Sequence, residues 1–387
     1  MWRILACFLI GTGIVSAESS VILSFANLSK NQNLDWIGES IAETIREAMA
    51  GEGILVLGRD ERDEAYKRLS IRRTADLSRA SVIKIGETLD ASRVIYGQYE
   101  LTSTANAKPT LRIRSRVLDL KQLRQSPEFS ELGALDDLAA LQTHLAWQAL
   151  KYATPKTAPP EAEFLAKRPP VRVDAIENYV RGLLAATPEQ KHRFFTQAAR
   201  LDERFSQPCF QLGRLQLESE SWRSAVGWLK RVSANDPNYR EALFDLGIAY
   251  YYSADYQGSL AAFEKVALDV PLNEVLNNLG VAQLRLNRPE AVQSFQKALE
   301  GDEADPDYQF NLGYALWKRG DFAAAADRFR ATLDRDSEDQ DALLLLGRCL
   351  KQSGPRTGDS RSDGLERIKF DFEESAYLQL KAMVEKK

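Results

Sequence analysis

The sequence predicts a two-domain chain, a small N-terminal α/β domain followed by an all-α solenoid of stacked helix pairs. Three observations predict it. A Leu-Gly pair recurs at Leu212-Gly213, Leu246-Gly247, Leu279-Gly280, Leu312-Gly313 and Leu346-Gly347, at glycine spacings of 34, 33, 33 and 34 residues. Residues 19–153 instead alternate short apolar runs with stretches of helical periodicity. Between the two textures, residues 154–170 carry Pro155, Pro159, Pro160, Pro169 and Pro170, a density that predicts an extended, semi-rigid linker.

Within each repeat the second half is also patterned. Twelve residues after the glycine stands a small side chain (Ala225, Ser259, Ala325), and four residues later a bulky one (Leu229, Phe263, Phe329). Ala291 and Phe295 keep that mutual spacing, shifted by one. Glycine and alanine belong where two helices cross, because the backbones can then approach and a large neighbour fills the space. Pro237, Pro271 and Pro306 close units, since proline cannot continue a helix yet suits the first turn of the next. These residues resemble the tetratricopeptide repeat (TPR), two antiparallel helices per unit of about 34 residues stacked into a right-handed superhelix. A looser copy, Asn178–Gly182 with Phe194–Ala198, precedes the five. The solenoid is expected over 174–387 in about six units, the last split by the polar loop 353–364, with Leu365–Lys386 as a helical cap.

In the N-terminal part, Val21–Phe25 and Ile54–Leu57 read as strands, and Asn33–Ala50 and Ser78–Asp90 as helices. Arg93–Leu101 and Leu111–Leu120 read as paired strands about a turn near Asn106–Pro109, and Asp136–Tyr152 as a closing amphipathic helix. The segments Val21–Ser29, Ile95–Tyr99 and Val117–Leu120 resemble the N-terminal domain of TolB and related FlgO-like envelope proteins. That resemblance implies an envelope location and protein contacts rather than a reaction.

The first seventeen residues carry one charge, Arg3, then the apolar run Ile4–Val15 and small residues at Val15 and Ala17. This is the pattern of a secretory signal cleaved after Ala17, its apolar run well short of the roughly 20 residues that cross a bilayer. The alternative is an uncleaved N-terminal membrane anchor. The expected location is therefore periplasmic or otherwise extracytoplasmic, with no transmembrane segment in the mature chain. After cleavage Cys209 and Cys349 remain, four repeats apart and too distant for a disulfide.

With 51 basic and 55 acidic residues the net charge is −4, which gives no pull toward nucleic acid. The two histidines, His144 and His192, stand apart from any metal-ligand cluster, and GxSxG, HExxH, CxxC and GxxxxGK patterns are absent. Gly97 stands singly after a strand and makes no phosphate loop. The acidic runs Asp302–Asp307 and Asp334–Asp339 lack the glycine and closing glutamate of an EF-hand and fall where aspartate caps helices. The expectation is no enzyme, no cofactor and no metal.

The informative surface is the side of each first helix turned away from the Leu-Gly contact, at offsets of −3, +1 and +4 from the glycine. In TPR proteins this face lines the concave groove where peptides bind. It holds Phe210, Phe244, Asn277 and Phe310 at −3, Arg214 and Tyr314 at +1, and Tyr251 and Trp317 at +4. Its aromatic character predicts an exposed partner-binding groove. The Lys and Asn of the family's carboxylate clamp are missing at the matching places, which hold Phe210 and Arg214. The expected function is an exported scaffold that grips a segment of another protein. The alternative is a small-molecule or glycan-sensing module in the α/β domain, with the repeats as an assembly interface.

Overall fold

The computed structural model describes residues 19–29, 31–102, 109–356, 359–373 and 377. The expected signal segment and the tip of the Asn106–Pro109 turn lie outside the described residues, as does nearly all of the expected cap beyond 373.

The N-terminal unit is built on a mixed sheet. Strand β1 (Ser20–Ile22) and the short β2 (Ala26–Asn27) pair parallel with successive stretches of β3 (Arg93–Thr102). β3 runs antiparallel to β4 (Thr110–Asp119) in an uninterrupted ten-residue register, and β4 is flanked by β5 (Arg124–Gln125) and β6 (Phe129–Ala134). Ile54–Leu57 forms no named strand; only Val56 bridges Ser20. Successive strand residues point to opposite faces, so both faces need cover. Ile95 and Val117 meet helices α1 (Trp36–Gly51) and α4 (Leu138–Ala153) on one side. Val94 and Leu118 meet α2 (Arg59–Arg68) and α3 (Arg79–Thr88) on the other. α2 escapes a hydrophobicity reading because it is dominated by polar residues (RDERDEAYKR), and β6 (FSELGA) because its apolar residues do not alternate with polar ones.

The proline-rich segment does not act as a spacer. It contains the short helix α5 (Glu161–Ala166), whose Phe164 is fully buried, and Arg168 stacks on that ring at 3.9 Å. Arg168 also donates to Glu52 at 3.0 Å and to the Ala48 carbonyl at 3.4 Å, both on the α1 side. One apolar core then runs without a break from Ile22 and Ile41 through Phe164 to Tyr179, Phe195, Phe205 and Leu212. The two expected domains thus share a core, because the segment's own aromatic ring outweighs the stiffness of its prolines.

The helical part consists of antiparallel pairs: α6 (Val173–Leu184) with α7 (Pro188–Leu201), α8 (Gln207–Glu218) with α9 (Trp222–Leu229), and α10 (Tyr239–Tyr252) with α11 (Tyr256–Asp269). α12 (Asn273–Arg285) with α13 (Ala291–Gly301) and α14 (Pro306–Lys318) with α15 (Phe322–Leu333) follow, and α16 (Gln340–Leu350) stands last. The repeat glycine does what its position requires. A Cβ on Gly182, Gly213, Gly247 or Gly280 would come within 2.4–2.7 Å of the bulky side chain of the next helix (Phe195, Leu229, Phe263, Phe295). Four of the five hairpins turn seven residues after their glycine on one residue in the left-handed region, Glu220, Ala254, Asn287 or Gly320. The acidic runs supply caps: Asp305 accepts from the Asp307 and Tyr308 amides, and Asp339 from the Ala342 amide. Cys209 and Cys349 are buried free thiols in separate apolar clusters.

Gly247→Ala is expected to cost about 1–3 kcal/mol, the usual penalty for overfilling a packed crossing. Urea denaturation followed by circular dichroism measures it, and an unchanged midpoint would contradict the packing described.

Candidate functional site

The groove-facing sides of α10, α12, α14 and α16 are not open. Residues 353–356 and 359–373 turn back after α16, and 365–373 cross the concave face as an extended chain where a helix was expected; beyond them the described Tyr377 is helical. Gly364 makes the entry to this strap possible: its φ is +77°, and a Cβ there would lie 2.6 Å from the Arg285 guanidinium.

The strap is held first by its backbone. Asn311, on α14, accepts from the Arg367 amide at 2.8 Å and donates to the Arg367 carbonyl at 2.7 Å. Asn278, on α12, does the same for Lys369, both bonds at 2.8 Å. Each side-chain amide satisfies one residue's N–H and C=O as a neighbouring strand would. Asn277 braces the pair, donating to the Arg367 carbonyl at 2.9 Å and accepting from Asn311 at 2.7 Å. All three asparagines are completely buried. Asn278 and Asn311 each precede their repeat glycine by two residues, so two successive repeats present matching clamps to alternate residues of an extended chain.

Side chains then sort by alternation. Arg367 and Lys369 turn toward the capping aspartates. Arg367 bonds Asp339 at 2.5 Å and Asp307 at 3.2 Å, while Lys369 bonds Asp307 at 2.7 Å and Asp305 at 2.9 Å. Both cations also lie over rings, Arg367 over Phe310 at 3.8 Å and Lys369 over Tyr308 at 5.0 Å. On the alternate side Glu366 pairs with Arg285 at 3.2 Å, and Ile368 packs against the repeat core. Phe370 stacks on Tyr252 and Phe372 on Phe244, at centroid distances of 5.9 and 5.0 Å. Burial alone would raise the Asp307 carboxyl. The Lys369 bond and charge, joined by Arg367, outweigh it and hold the group below its ordinary 3.8.

The expected groove residues fall on the right face but not in the expected state. Phe210, Phe244, Tyr251, Asn277, Phe310, Tyr314 and Trp317 are all buried, and of that set only Arg214 is exposed. Two causes bury them. Phe244 and Phe310 also reach across to their own second helix, meeting Phe263 and Phe329 edge-on at 5.7 and 5.6 Å. Phe210 is buried in the core of the first repeats, and the C-terminal chain covers the C-terminal end of the groove: the Tyr314 hydroxyl donates to the Ser362 carbonyl at 2.8 Å and the Trp317 indole to the Ser353 carbonyl at 2.9 Å. Arg348 adds bonds to Asp359 at 2.5 Å and to Ser362 at 2.7 Å. Arg214 stays at the far end, paired with Glu241 at 3.2 Å. Asn278, Asn311, Asp305, Asp307 and Asp339 were not read from the sequence as groove residues. A 33-residue recurrence of asparagine in a helix interior, where it is a poor helix former, was the available signal.

A second site lies where α1 meets the first repeats. A cavity of about 190 Å³ is lined by Ser40, Glu43, Glu47 and Gln142 from the α/β unit and by Tyr179, Gln207 and Asp236 from the helical part. Arg46 bonds Glu43 at 2.5 Å and keeps it ionised. Burial, then the charge of Glu43, pushes Glu47 up to about 8, and Tyr179 and Gln207 both donate to it. His144 is occupied structurally, stacked on Trp147 and bonded to Glu131 at 2.7 Å. Among the described residues, no group of three or more His, Cys, Asp or Glu is placed to hold a metal ion. Among them, too, no helix is long and apolar enough to cross a membrane.

With the geometry in view, the class of the helical part is plain: it is a solenoid of helix pairs like those of tetratricopeptide repeats. The tetratricopeptide repeat family matches residues 210–269, 244–309 and 310–354. The chain is 26% identical over 161 residues to Tetratricopeptide repeat protein 8 of Caenorhabditis elegans, and 28% identical over 171 residues to the PEX5-related protein of Mus musculus. These alignments take in 39% and 40% of this chain and 30% of either relative, so the chain spans under a third of their length. Among solved structures it is similar to YrrB, described as a TPR protein with an unusual peptide-binding site. That match has 21% identity and a TM-score of 0.36, covering 43% of this chain and 86% of YrrB. It is also similar to Pseudomonas aeruginosa PilF, at 20% identity and a TM-score of 0.37, covering 42% and 76%.

Two outcomes are expected here. As pH falls below 3.8, protonation of Asp307 removes a charge that holds the strap, a contribution present above that value and lost beneath it. The Arg367 and Lys369 amide signals in nuclear magnetic resonance should then broaden or shift before the helices melt. At the junction the sign is opposite. Glu47 is protonated in the folded chain, so its contribution falls as pH rises from 4.5 to about 8. Glu47→Gln should flatten the dependence of melting temperature on pH across that window.

Proposed function

We propose that this protein is an exported, non-enzymatic protein–protein interaction scaffold of the cell envelope, whose concave repeat groove holds an extended segment of another protein. One observation carries the reading: the groove already holds an extended chain through Asn278 and Asn311, and these bonds address the backbone rather than a particular side chain. A surface that satisfies the N–H and C=O of alternate residues suits extended polypeptide of many sequences, with side-chain pockets supplying choice. The groove sets amides, carboxylates and rings around a backbone, an arrangement for holding rather than reacting. The TolB- and FlgO-like strands and the signal-like first seventeen residues support the envelope assignment.

A sensing role for the α/β unit is less well supported. The two cavities at the junction, of about 190 and 630 Å³, are each lined by the repeats as well as by the α/β unit, so neither is a site of the α/β unit by itself.

The test is site-specific photocross-linking in the native cell, with the photoreactive residue at Tyr252, which is exposed at 42% beside the strap. A discrete adduct with a second protein is expected, lost when Asn278 and Asn311 are both changed to alanine. An adduct that survives those changes, or none in any cell fraction, would overturn the groove reading. N-terminal sequencing of the native protein should begin at Glu18; a retained leader would overturn the proposed cleavage.

A further inference from the structure

We propose that residues 365–373 are the groove's resident competitor, and that the partner it admits is an extended segment of the same chemistry. That chemistry is two cations separated by one residue, followed by alternating aromatic side chains. The inference rests on the peptide-groove reading above and adds what the groove selects and what keeps it closed.

Three features mark the strap as a bound ligand rather than a cap. Its backbone is extended and makes no helix or sheet of its own, so the N–H and C=O of Arg367 and Lys369 are satisfied only by Asn311, Asn278 and Asn277. Those asparagines are fully buried under it, so leaving the groove would strand polar groups unless another backbone replaced it. Its side chains, meanwhile, are only partly withdrawn from water. Arg367 and Lys369 remain 24% and 21% exposed, and Phe370 is 55% exposed. The backbones of Arg367 and Lys369 are thus paired with the solenoid, while the side chains of Arg367, Lys369 and Phe370 keep part of their surface in water, the condition of a ligand that another can replace.

The selection follows from the walls. Asp305, Asp307 and Asp339 stand together on one side of the track, Asp305 and Asp339 as helix caps of two successive repeats and Asp307 in the first turn of α14. They meet cations at alternate positions, while Phe310 and Tyr308 lie beneath those cations. Farther along, Tyr252 and Phe244 offer ring faces that Phe370 and Phe372 cover. An acidic segment would meet three like charges there, and a helical one would present too few free backbone groups to the asparagines. A tethered occupant is present at an effective concentration of order millimolar, so it excludes weak ligands and yields only to a matching chain.

The test uses a fluorescent peptide, Ser-Asp-Gly-Leu-Glu-Arg-Ile-Lys-Phe-Asp-Phe-Glu, identical to residues 362–373, and anisotropy against the full chain. Weak binding is expected to the unaltered protein and at least about tenfold tighter binding to the Arg367→Ala/Lys369→Ala chain, whose own strap is loosened. A peptide with both cations replaced by glutamate should fail to bind that variant. Equal binding to both chains, or binding of the glutamate peptide, would overturn the proposal. Should the variant misfold, the unaltered chain, labelled with ¹⁵N, serves: excess unlabelled peptide should speed hydrogen exchange at its Arg367 and Lys369 amides, and unchanged exchange would count against displacement. The two proposals fail separately. If the peptide does not bind while the Tyr252 adduct still forms and still needs the asparagines, the groove stands and only the resident-competitor inference falls.

Discussion

Everything on the concave side depends on how closely the two helices of each repeat approach. The glycine at that crossing leaves no Cβ, and the ring or branched chain of the following helix occupies the space it vacates. Repeated at nearly constant spacing, this contact sets the angle and separation of successive helices. It thereby brings Asn278 and Asn311, one repeat apart in the chain, to the spacing of alternate residues in an extended polypeptide. A side chain inserted at any crossing would change that register before it touched the groove.

The same economy of placement explains the acidic wall. Aspartates at repeat boundaries are required by the helices themselves, to satisfy amides that have no carbonyl partner at an N-terminus. Asp305 and Asp339 meet that requirement and still present carboxylate oxygens to the groove. A residue chosen for capping thus doubles as a recognition element. This is why the sequence pattern of Asp302–Asp307 and Asp334–Asp339 looks wholly structural when read alone.

At the other end of the solenoid the constraint is a shared core. Phe164 draws a proline-rich segment into the core beside α4, Arg168 ties it to the end of α1, and Tyr179 and Phe205 continue the same apolar body into the first repeat. Movement of the α/β unit against the repeats would have to open this core and uncover Glu43 and Glu47, which lie at the seam. The groove and the seam are therefore rigidly related, and a chain gripped in one is presented at a defined position with respect to the sheet.

The repeat, its period, the helix-closing prolines and the paired strands 93–101 and 111–120 were all legible in the sequence. They rest on local rules: periodicity of apolar residues, small residues at crossings, and turn chemistry. Of the residues expected to face a partner, Phe244, Phe310, Tyr314 and Trp317 lie against the chain's own C-terminal segment. Their burial was not legible, because helical periodicity reports direction and not what lies beyond it. Leu365–Lys386 has helical spacing, yet 365–373 is extended, because the buried asparagines of distant repeats offer its backbone better partners than its own turns would; of the rest only Tyr377 is described, and it is helical. The mixed linker, with prolines for stiffness and Phe164 for burial, was likewise settled by contact with α1 and not by composition. The sequence by itself determined the repeating unit, for its causes lie within 34 residues. What fills the groove, and how the two ends of the chain join, was decided only by tertiary structure, because those interactions pair residues tens to more than a hundred positions apart.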